Sequence, residues 1–213
     1  MKRNRRSYKK VGSFTLTQPK MLVSDPGYEK DEWCSKTVKD CMTGIWDAYI
    51  NVNRYEFKYD DNKVGKTNRV AELFVCHSSV GKEVFASIHL EYRNTLQERE
   101  DDNCFFRWFG PWAELSENIG VDSGQAGFFD YDKFGDNSLF KAPGECGFGD
   151  KWYSNCCDLT LEDHGGIVAD CGVNVASGFG DGCYCVWEHK SAAGETDAMV
   201  LFFLPDNDPI EES

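Results

Sequence analysis

The segment from Gly166 to Leu204 reads GIVADCGVNVASGFGDGCYCVWEHKSAAGETDAMVLFFL, and it decides the fold class. It holds three strand-like runs, 167–175, 183–189 and 198–204, separated by turns rich in Gly and Asp. Short runs of β-branched and aromatic residues are typical of strands, and Gly-rich turns connect antiparallel neighbours. The segment therefore predicts an antiparallel meander.

Upstream of this segment, further strand-like runs occupy 12–23, 45–57, 70–76 and 84–92. Regular short strands with Gly-rich turns predict a mainly β protein, with α+β as the alternative. The expected architecture is an antiparallel sandwich or a barrel-like sheet. One early helix is predicted over 28–42, because Trp33, Thr37 and Cys41 recur at i, i+4 and i+8.

The 213 residues contain no linker long enough to divide them. We expect one β-rich domain over 11–205, with a basic N-terminal arm at 1–10 and an acidic tail at 206–213. The arm holds six cations and no acid, whereas the whole chain has a net charge of -13. So acidic a body repels phosphate backbones, which disfavours a nucleic-acid-binding core. The arm itself is interpreted as a solvated terminus.

The longest apolar run, 198–204, is far shorter than the roughly 20 residues of a membrane-spanning helix. The basic start is not followed by the apolar stretch of a signal peptide. The ten cysteines include no Cys-x-x-Cys pair, and this pattern favours reduced thiols packed as small apolar residues. We therefore expect a cytoplasmic protein that is not associated with a membrane.

Two motifs of known chemistry are incomplete. Gly65-Lys66-Thr67 lacks the upstream glycine of a phosphate loop, because Asp60 stands in its place. The segment 130–136 begins like a calcium loop, but Phe134 and Lys141 occupy positions that need oxygen ligands. This excludes a helix–loop–helix calcium site and leaves a looser divalent-metal site as an open alternative.

Two segments combine glycine with a carboxylate. Glycine lets a ligand approach the backbone closely, and aspartate can accept hydrogen bonds, hold a metal or act as a base. The open alternative for the second segment is a tight hairpin turn. The predicted ligand-binding residues are Asp122, Ser123, Gly124 and Gln125 in the first segment and Gly180, Asp181 and Gly182 in the second.

These segments also carry a family resemblance. VDSGQAGFFD at 121–130, Trp152-Tyr153 and GFGDGCY at 178–184 resemble an uncharacterised bacterial and phage domain family with a Gly-Asp-Gly motif. The resemblance implies a β-rich cytoplasmic protein of a microbe or its virus, and it brings no established activity. The upstream segment VSDPGY at 23–28 also resembles this family. The positions that match the motifs are Asp25, Asp122, Ser123, Gly124, Gly180, Asp181 and Gly182.

Two functions compete at this point. The preferred one is a binding protein that engages a basic protein partner or a small ligand, because no catalytic signature is complete and 30 aromatic residues accompany an acidic body. The sequence thus favours a binding protein over an enzyme, and no cofactor is expected. The alternative is a hydrolase dependent on a divalent metal, in which Asp25, Asp122 and Asp181 hold the ion while Ser123 and Gln125 orient the substrate.

Overall fold

The computed structural model describes residues 8–60, 63–84, 108–109, 112–115 and 118–204. Within these residues there are one α-helix and two short 3-10 turns (Lys82–Val84 and Asn137–Leu139). In chain order the elements are β1 (Tyr8–Leu16), β2 (Lys20–Ser24), β3 (Lys36–Lys39), β4 (Gly44–Asp60), β5 (Lys63–His77), β6 (Trp108–Phe109), β7 (Trp112–Glu114), β8 (Ile119–Val121), β9 (Gln125–Asp130), α1 (Lys151–Asp163), β10 (Gly165–Val168), β11 (Gly172–Ala176), β12 (Gly182–Lys190) and β13 (Thr196–Phe202).

The described strands form two antiparallel sheets. The large sheet has the order β1-β4-β5-β13-β12-β7-β6, and β8 pairs with the first residues of β12. The small sheet has the order β10-β11-β9-β2-β3. The main hydrophobic core contains residues of both sheets and lies between them. The prediction of a mainly β, sandwich-like protein is confirmed.

Strand β13 shows how the sequence pattern produces these layers. All seven of its residues are buried. Successive side chains of a strand point to opposite faces. Met199 and Leu201 accordingly join the core between the sheets, whereas Val200 and Phe202 join a second cluster on the other face of the large sheet. A continuous apolar run therefore fits a strand that is covered on both faces.

Helix α1 covers the outer face of the small sheet. The Asp150 side chain caps its first turn by accepting a hydrogen bond from the Tyr153 backbone N–H at 2.8 Å. His164 ends it in the left-handed conformation, with a φ of 65°. Trp152 and Cys156 of α1 pack against Phe129 of β9 in a third apolar cluster. The side of β9 that faces the helix is therefore closed to solvent.

The predicted early helix is wrong. Residues 26–34 form turns, and Lys36–Lys39 is β3, paired with β2 through contacts such as Met21 with Val38. Asp31 and Asp40 have φ values of 60° and 58°, which a continuous right-handed helix does not allow. The apparent helical period arose because loop and strand residues happened to recur at that spacing, although Trp33 is exposed and only Cys41 of the three is buried. The described helix lies instead at Lys151–Asp163.

The meander prediction for 166–204 is also corrected. The segment forms four strands, not three, because Ile167 and Val175 belong to different strands of one hairpin. Strands β10 and β11 lie in the small sheet, whereas β12 and β13 lie in the large sheet. The stretch 177–182 therefore crosses between the sheets. Gly180-Asp181-Gly182 is part of this crossing and not a hairpin turn.

The structure also bears on the predicted chain boundaries. The predicted basic arm overlaps β1, because residues 8–10 pair with β4 and the Lys10 ammonium lies 2.8 Å from the Asp47 carboxylate. Residues 1–7, the predicted strand 84–92 after Val84 and the predicted tail 206–213 lie outside the described residues. In the parts of the chain that are described, no helix is long and apolar enough to cross a membrane.

Candidate functional site

Asp25 is a buried carboxylate that ties two distant segments together. It follows β2 directly, and its side chain is inaccessible to solvent. Oδ2 accepts hydrogen bonds from the backbone N–H groups of Asp122 (2.9 Å) and Ser123 (2.8 Å). Oδ1 accepts from the Gly27 N–H (2.8 Å) and the Ser123 hydroxyl (2.7 Å). A carboxylate offers about four acceptor positions, so these four donors occupy it fully.

Asp122 and Asp181 lie beside each other at the end of the short ladder between β8 and β12. Its last pair is Val121 with Gly182, so both aspartates stand one residue beyond it. Both side chains are exposed. The structure thus brings the two Gly/Asp segments of the sequence together, with the Gly180 backbone 3.9 Å from where a Cβ on Gly124 would lie. Two neighbouring exposed carboxylates create a locally negative surface.

The crossing around Gly180 is fixed by hydrogen bonds to its backbone. The Ser177 hydroxyl donates to the Gly180 carbonyl at 2.8 Å, and the Tyr184 hydroxyl donates to the same carbonyl at 2.6 Å. Gly178 and Gly180 have φ values of 61° and 113°, which L side chains rarely adopt. Glycine is therefore required here by the backbone path, which holds Asp181 in a fixed place.

Gln125 lies apart from this surface. It is buried on β9 beneath α1, where its Nε2 donates to Cys157 Sγ at 3.3 Å. Its Oε1 accepts from Asn174 Nδ2 at 2.7 Å. This predicted ligand-binding residue thus joins the small sheet to the helix, and it does not reach the surface on which Asp122 and Asp181 lie.

An exposed aromatic residue, Trp33, lies close to the paired aspartates. Trp33 is 67% exposed, yet its ring lies on the backbone of Gly120, where a Cβ would come within 2.1 Å of it. The ring also makes an edge contact with Tyr28 at 5.8 Å between centroids. The Tyr28 hydroxyl donates to Asp122 Oδ2 at 2.7 Å, and this bond raises the pKa of Tyr28 to about 12. Trp33 is therefore exposed but held in place.

Phe179 is a further exposed aromatic residue, and it lies near Asp181 in the sequence. It is 63% exposed in the crossing that precedes Gly182, and its ring packs on Tyr55 of β4 at 5.2 Å between centroids. We define the Asp-Gly surface as four residues at the end of the β8–β12 ladder: Tyr28, Trp33, Asp122 and Asp181.

Ser123 and Tyr153 lie behind the Asp-Gly surface. Ser123 donates its hydroxyl proton to Asp25, and Tyr153 of α1 lies close to both Ser123 and Gly27. Burial, with the nearby Cys157, raises the pKa of Tyr153 to about 12. A phenol with so high a pKa stays protonated at neutral pH and is not a base for Ser123. This arrangement positions backbone and does not activate a nucleophile.

The carboxylates do not assemble as the metal alternative requires. Asp25 contacts the backbone of Asp122 and not its side chain, and the four donors leave it no lone pair for an ion. Asp130 of the incomplete calcium loop is buried and accepts from the backbone N–H of Thr17 at 2.7 Å and of Asp132 at 3.0 Å. Among the described residues, no group of three or more His, Cys, Asp and Glu could hold a metal ion.

None of the nine cysteines within the described residues forms a disulfide bond. Burial raises the pKa of Cys41 and of Cys171 to about 12, so neither forms a thiolate at neutral pH. Cys183 differs, because it is exposed on β12, opposite Gly120. The buried cysteines therefore fill apolar layers, as the sequence predicted.

The aromatic half of the Asp-Gly surface was not predicted from the sequence. Trp33 was expected on the apolar face of a helix, whereas it lies in a loop that begins at the Pro26-Gly27 turn. The acidic residues Glu29, Asp31 and Glu32 around Trp33 were the signal, since such a run is typical of a solvated loop. Comparison of the chain with protein-family models, with curated proteins and with solved structures finds no match.

Proposed function

We propose that this chain is a cytoplasmic binding protein that engages a basic partner protein through the Asp-Gly surface. The observation that carries the proposal is the rigid exposure of Trp33, which is 67% exposed and fixed by Gly120 and Tyr28. Tryptophan is among the residues that dominate binding energy at protein interfaces. An aromatic side chain that is already ordered loses less entropy on binding than a mobile one.

The charge around Trp33 favours a basic partner. Asp122 and Asp181 are exposed at the same ladder end, and the chain as a whole has a net charge of -13. Complementary charge accelerates encounter and excludes acidic competitors. The aromatic residues then provide the desolvated contacts that hold the complex.

Two further observations bear on the cellular location and the origin that the proposal assigns to the protein. The described cysteines form no disulfide bond, which is typical of proteins kept in a reducing compartment. The proposed microbial or phage origin rests on the Gly-Asp-Gly motif alone, since no family model matches the chain. No observation among the described residues favours the metal-dependent hydrolase, because Asp25 is occupied by four hydrogen bonds.

The test is a capture experiment with matched variants in a microbial lysate. The wild type is compared with Trp33→Ala, with Asp181→Asn and with a control, Leu161→Ala, which removes an equally exposed apolar side chain on α1 (76% exposed). The captured protein should be basic, and high salt should release it. Trp33→Ala should weaken its binding by about 30-fold or more, the effect of losing an interface hot spot.

Asp181→Asn should mainly slow association and reduce the salt dependence of binding, because Asp181 lies at an exposed position. Leu161→Ala should bind as the wild type does. A partner that binds Trp33→Ala and wild type equally would contradict the proposed surface. Failure to capture any protein at low salt would contradict the binding function itself.

A further inference from the structure

A basic cleft lies on the small sheet, at a place that the sequence analysis did not single out. It has a volume of about 480 Å³ and is formed by the β2–β3 hairpin and the residue that follows β9. Pockets for small molecules usually measure about 300–1,000 Å³. We call it the lysine cleft, and its lining includes Lys20, Lys36, Lys39, Asp31, Thr37 and Tyr131.

The charge of the lysine cleft is opposite to that of the chain. Lys20 and Lys39 share one face of the β2–β3 pair with a single carboxylate in the lining, that of Asp31, although the whole chain has a net charge of -13. Lys20 and Lys39 are directly opposite each other in the pairing of β2 with β3. Like charges at such positions destabilise a sheet. An anion between the two ammonium groups would remove this repulsion.

The described side chains hold the cleft open for such an anion. Lys20 Nζ lies 5.1 Å from the centre of the Tyr131 ring, a cation–π contact that limits its motion. The Asp31 carboxylate accepts from the Tyr131 hydroxyl at 2.5 Å and from the Thr37 hydroxyl at 3.1 Å. In the described part of the chain, neither Lys20 nor Lys39 forms an ion pair.

We propose that the lysine cleft binds a phosphorylated small molecule, with the phosphoryl group between Lys20 and Lys39. Lysine binds phosphate as a compact point charge, and a phosphoryl dianion matches two opposed lysines. The rest of the body is acidic and repels nucleic acids and acidic proteins, so the fitting ligand is small. This site is separate from the proposed partner surface and does not depend on it.

A purely structural role for the same lysines makes different predictions. Strand β3 is at an edge of the small sheet, and lysines on edge strands prevent association with other strands. In that case the lysines would suppress aggregation and would not bind phosphate selectively. Binding and aggregation are therefore measured together.

The experiment is a calorimetric titration with inorganic pyrophosphate, glucose 6-phosphate and, as the anion control, sodium acetate. It is made in about 50 mM NaCl, where the Debye length exceeds about 10 Å and charges are only weakly screened. The variants are Lys20→Gln and Lys39→Gln, with Lys82→Gln as a control that removes an equal charge from an exposed 3-10 turn. Melting temperature and light scattering are recorded for each variant without ligand.

We expect both phosphates to bind with a dissociation constant below about 1 mM and acetate not to bind at that concentration. Lys20→Gln and Lys39→Gln should each weaken phosphate binding by about tenfold or more, whereas Lys82→Gln should not. Without ligand, both cleft variants should melt no lower than wild type, because each variant removes one of two like charges that repel each other across the strand pair. Binding of pyrophosphate alone would confine the ligand to polyphosphates, and binding of both would extend it to phosphate monoesters.

The proposal is overturned if neither phosphate binds at about 10 mM, or if acetate binds as tightly as the phosphates. It is also overturned if Lys20→Gln and Lys39→Gln bind phosphate as the wild type does. Loss of binding together with a lowered melting temperature would indicate misfolding, and Lys20→Arg then decides the outcome. Arg keeps the charge, so restored binding supports the site and continued loss refutes it.

Discussion

Replacement of Asp25 by Asn tests whether this carboxylate holds the Asp-Gly surface together. The change keeps the size of the side chain and turns one oxygen into an NH2 group. If that group replaces Oδ2, it faces the backbone N–H groups of Asp122 and Ser123. If it replaces Oδ1, it faces the Gly27 N–H, while the Ser123 hydroxyl can turn round and accept. The second orientation costs less, so we expect it.

The magnitude follows from the bonds that are lost. A hydrogen bond to a charged group contributes about 1.5–3 kcal/mol, and a buried donor left unsatisfied costs about 1–3 kcal/mol. Asp25 is fully buried, so solvent does not replace the missing acceptor. We therefore expect Asp25→Asn to lower the free energy of unfolding by about 2–4 kcal/mol. For a chain of this length the melting temperature should fall by roughly 4–16 °C.

The assay is urea denaturation followed by far-UV circular dichroism, with a thermal melt as the second measurement. Asp181→Asn is the matched control, because Asp181 is exposed, and it should stay within about 0.5 kcal/mol of wild type. A loss below about 1 kcal/mol for Asp25→Asn would refute the reasoning from four buried hydrogen bonds.

Melts of the wild type with EDTA and with Mg²⁺, Ca²⁺, Mn²⁺ or Zn²⁺ should coincide, because Asp25 has no lone pair left for an ion.

Three further predictions concern other parts of the molecule. Gly120→Ala should displace Trp33, because the new Cβ would lie within 2.1 Å of its ring, and the near-UV circular dichroism of the tryptophan band should change. A thiol reagent at pH 8 should modify Cys183 rapidly and Cys41 only after unfolding, because burial raises the pKa of Cys41 to about 12. Asp158→Asn should destabilise the protein at neutral pH, since backbone N–H bonds, first that of Cys146, lower the pKa of Asp158.

Each of these predictions has its own control. Trp33→Ala should cause the same spectral change as Gly120→Ala, and an unchanged spectrum in the latter would show that the ring does not lie on Gly120. Equal rates for Cys183 and Cys41 would contradict the burial of Cys41. The stability that Asp158 contributes is present above pH 3.8 and is lost as the pH falls through its lowered pKa. Melts of wild type and Asp158→Asn should therefore converge in acid, and a constant difference would exclude this cause.

The β class could be predicted from the sequence because both core layers are encoded locally. Alternation and apolar runs identify strands such as β4 and β13 without knowledge of their partners. The helix could not be placed this way. Lys151–Asp163 is rich in Ser, Asn, Cys, Asp and Thr, which are weak helix formers, and its packing on Phe129 decides its conformation. The Asp150 cap and the glycine after His164 were the available signals.

The candidate site was predicted in part. Glycine with aspartate marked both segments of the Asp-Gly surface, because the need for positive φ and close backbone approach is visible in the residue types. The juxtaposition of Asp122 with Asp181 is a long-range property of the β8–β12 pairing. Likewise, Gln125 could be assigned to the helix side only once β9 was known to lie beneath α1. Local pattern carries no information on either point.

The position of β13 has a consequence for the order in which the protein can fold. This strand lies between β5 and β12, although it comes last among the described strands. About 120 residues lie between the end of β5 at His77 and the start of β13 at Thr196, and a ribosome adds them in roughly 6–24 s at about 5–20 residues per second. During that time the β4–β5 hairpin presents an unpaired edge, which is a template for aggregation. Cys76 on that edge pairs with Ala198 only after β13 has been synthesised. The yield of folded protein should therefore depend on how quickly β13 is synthesised.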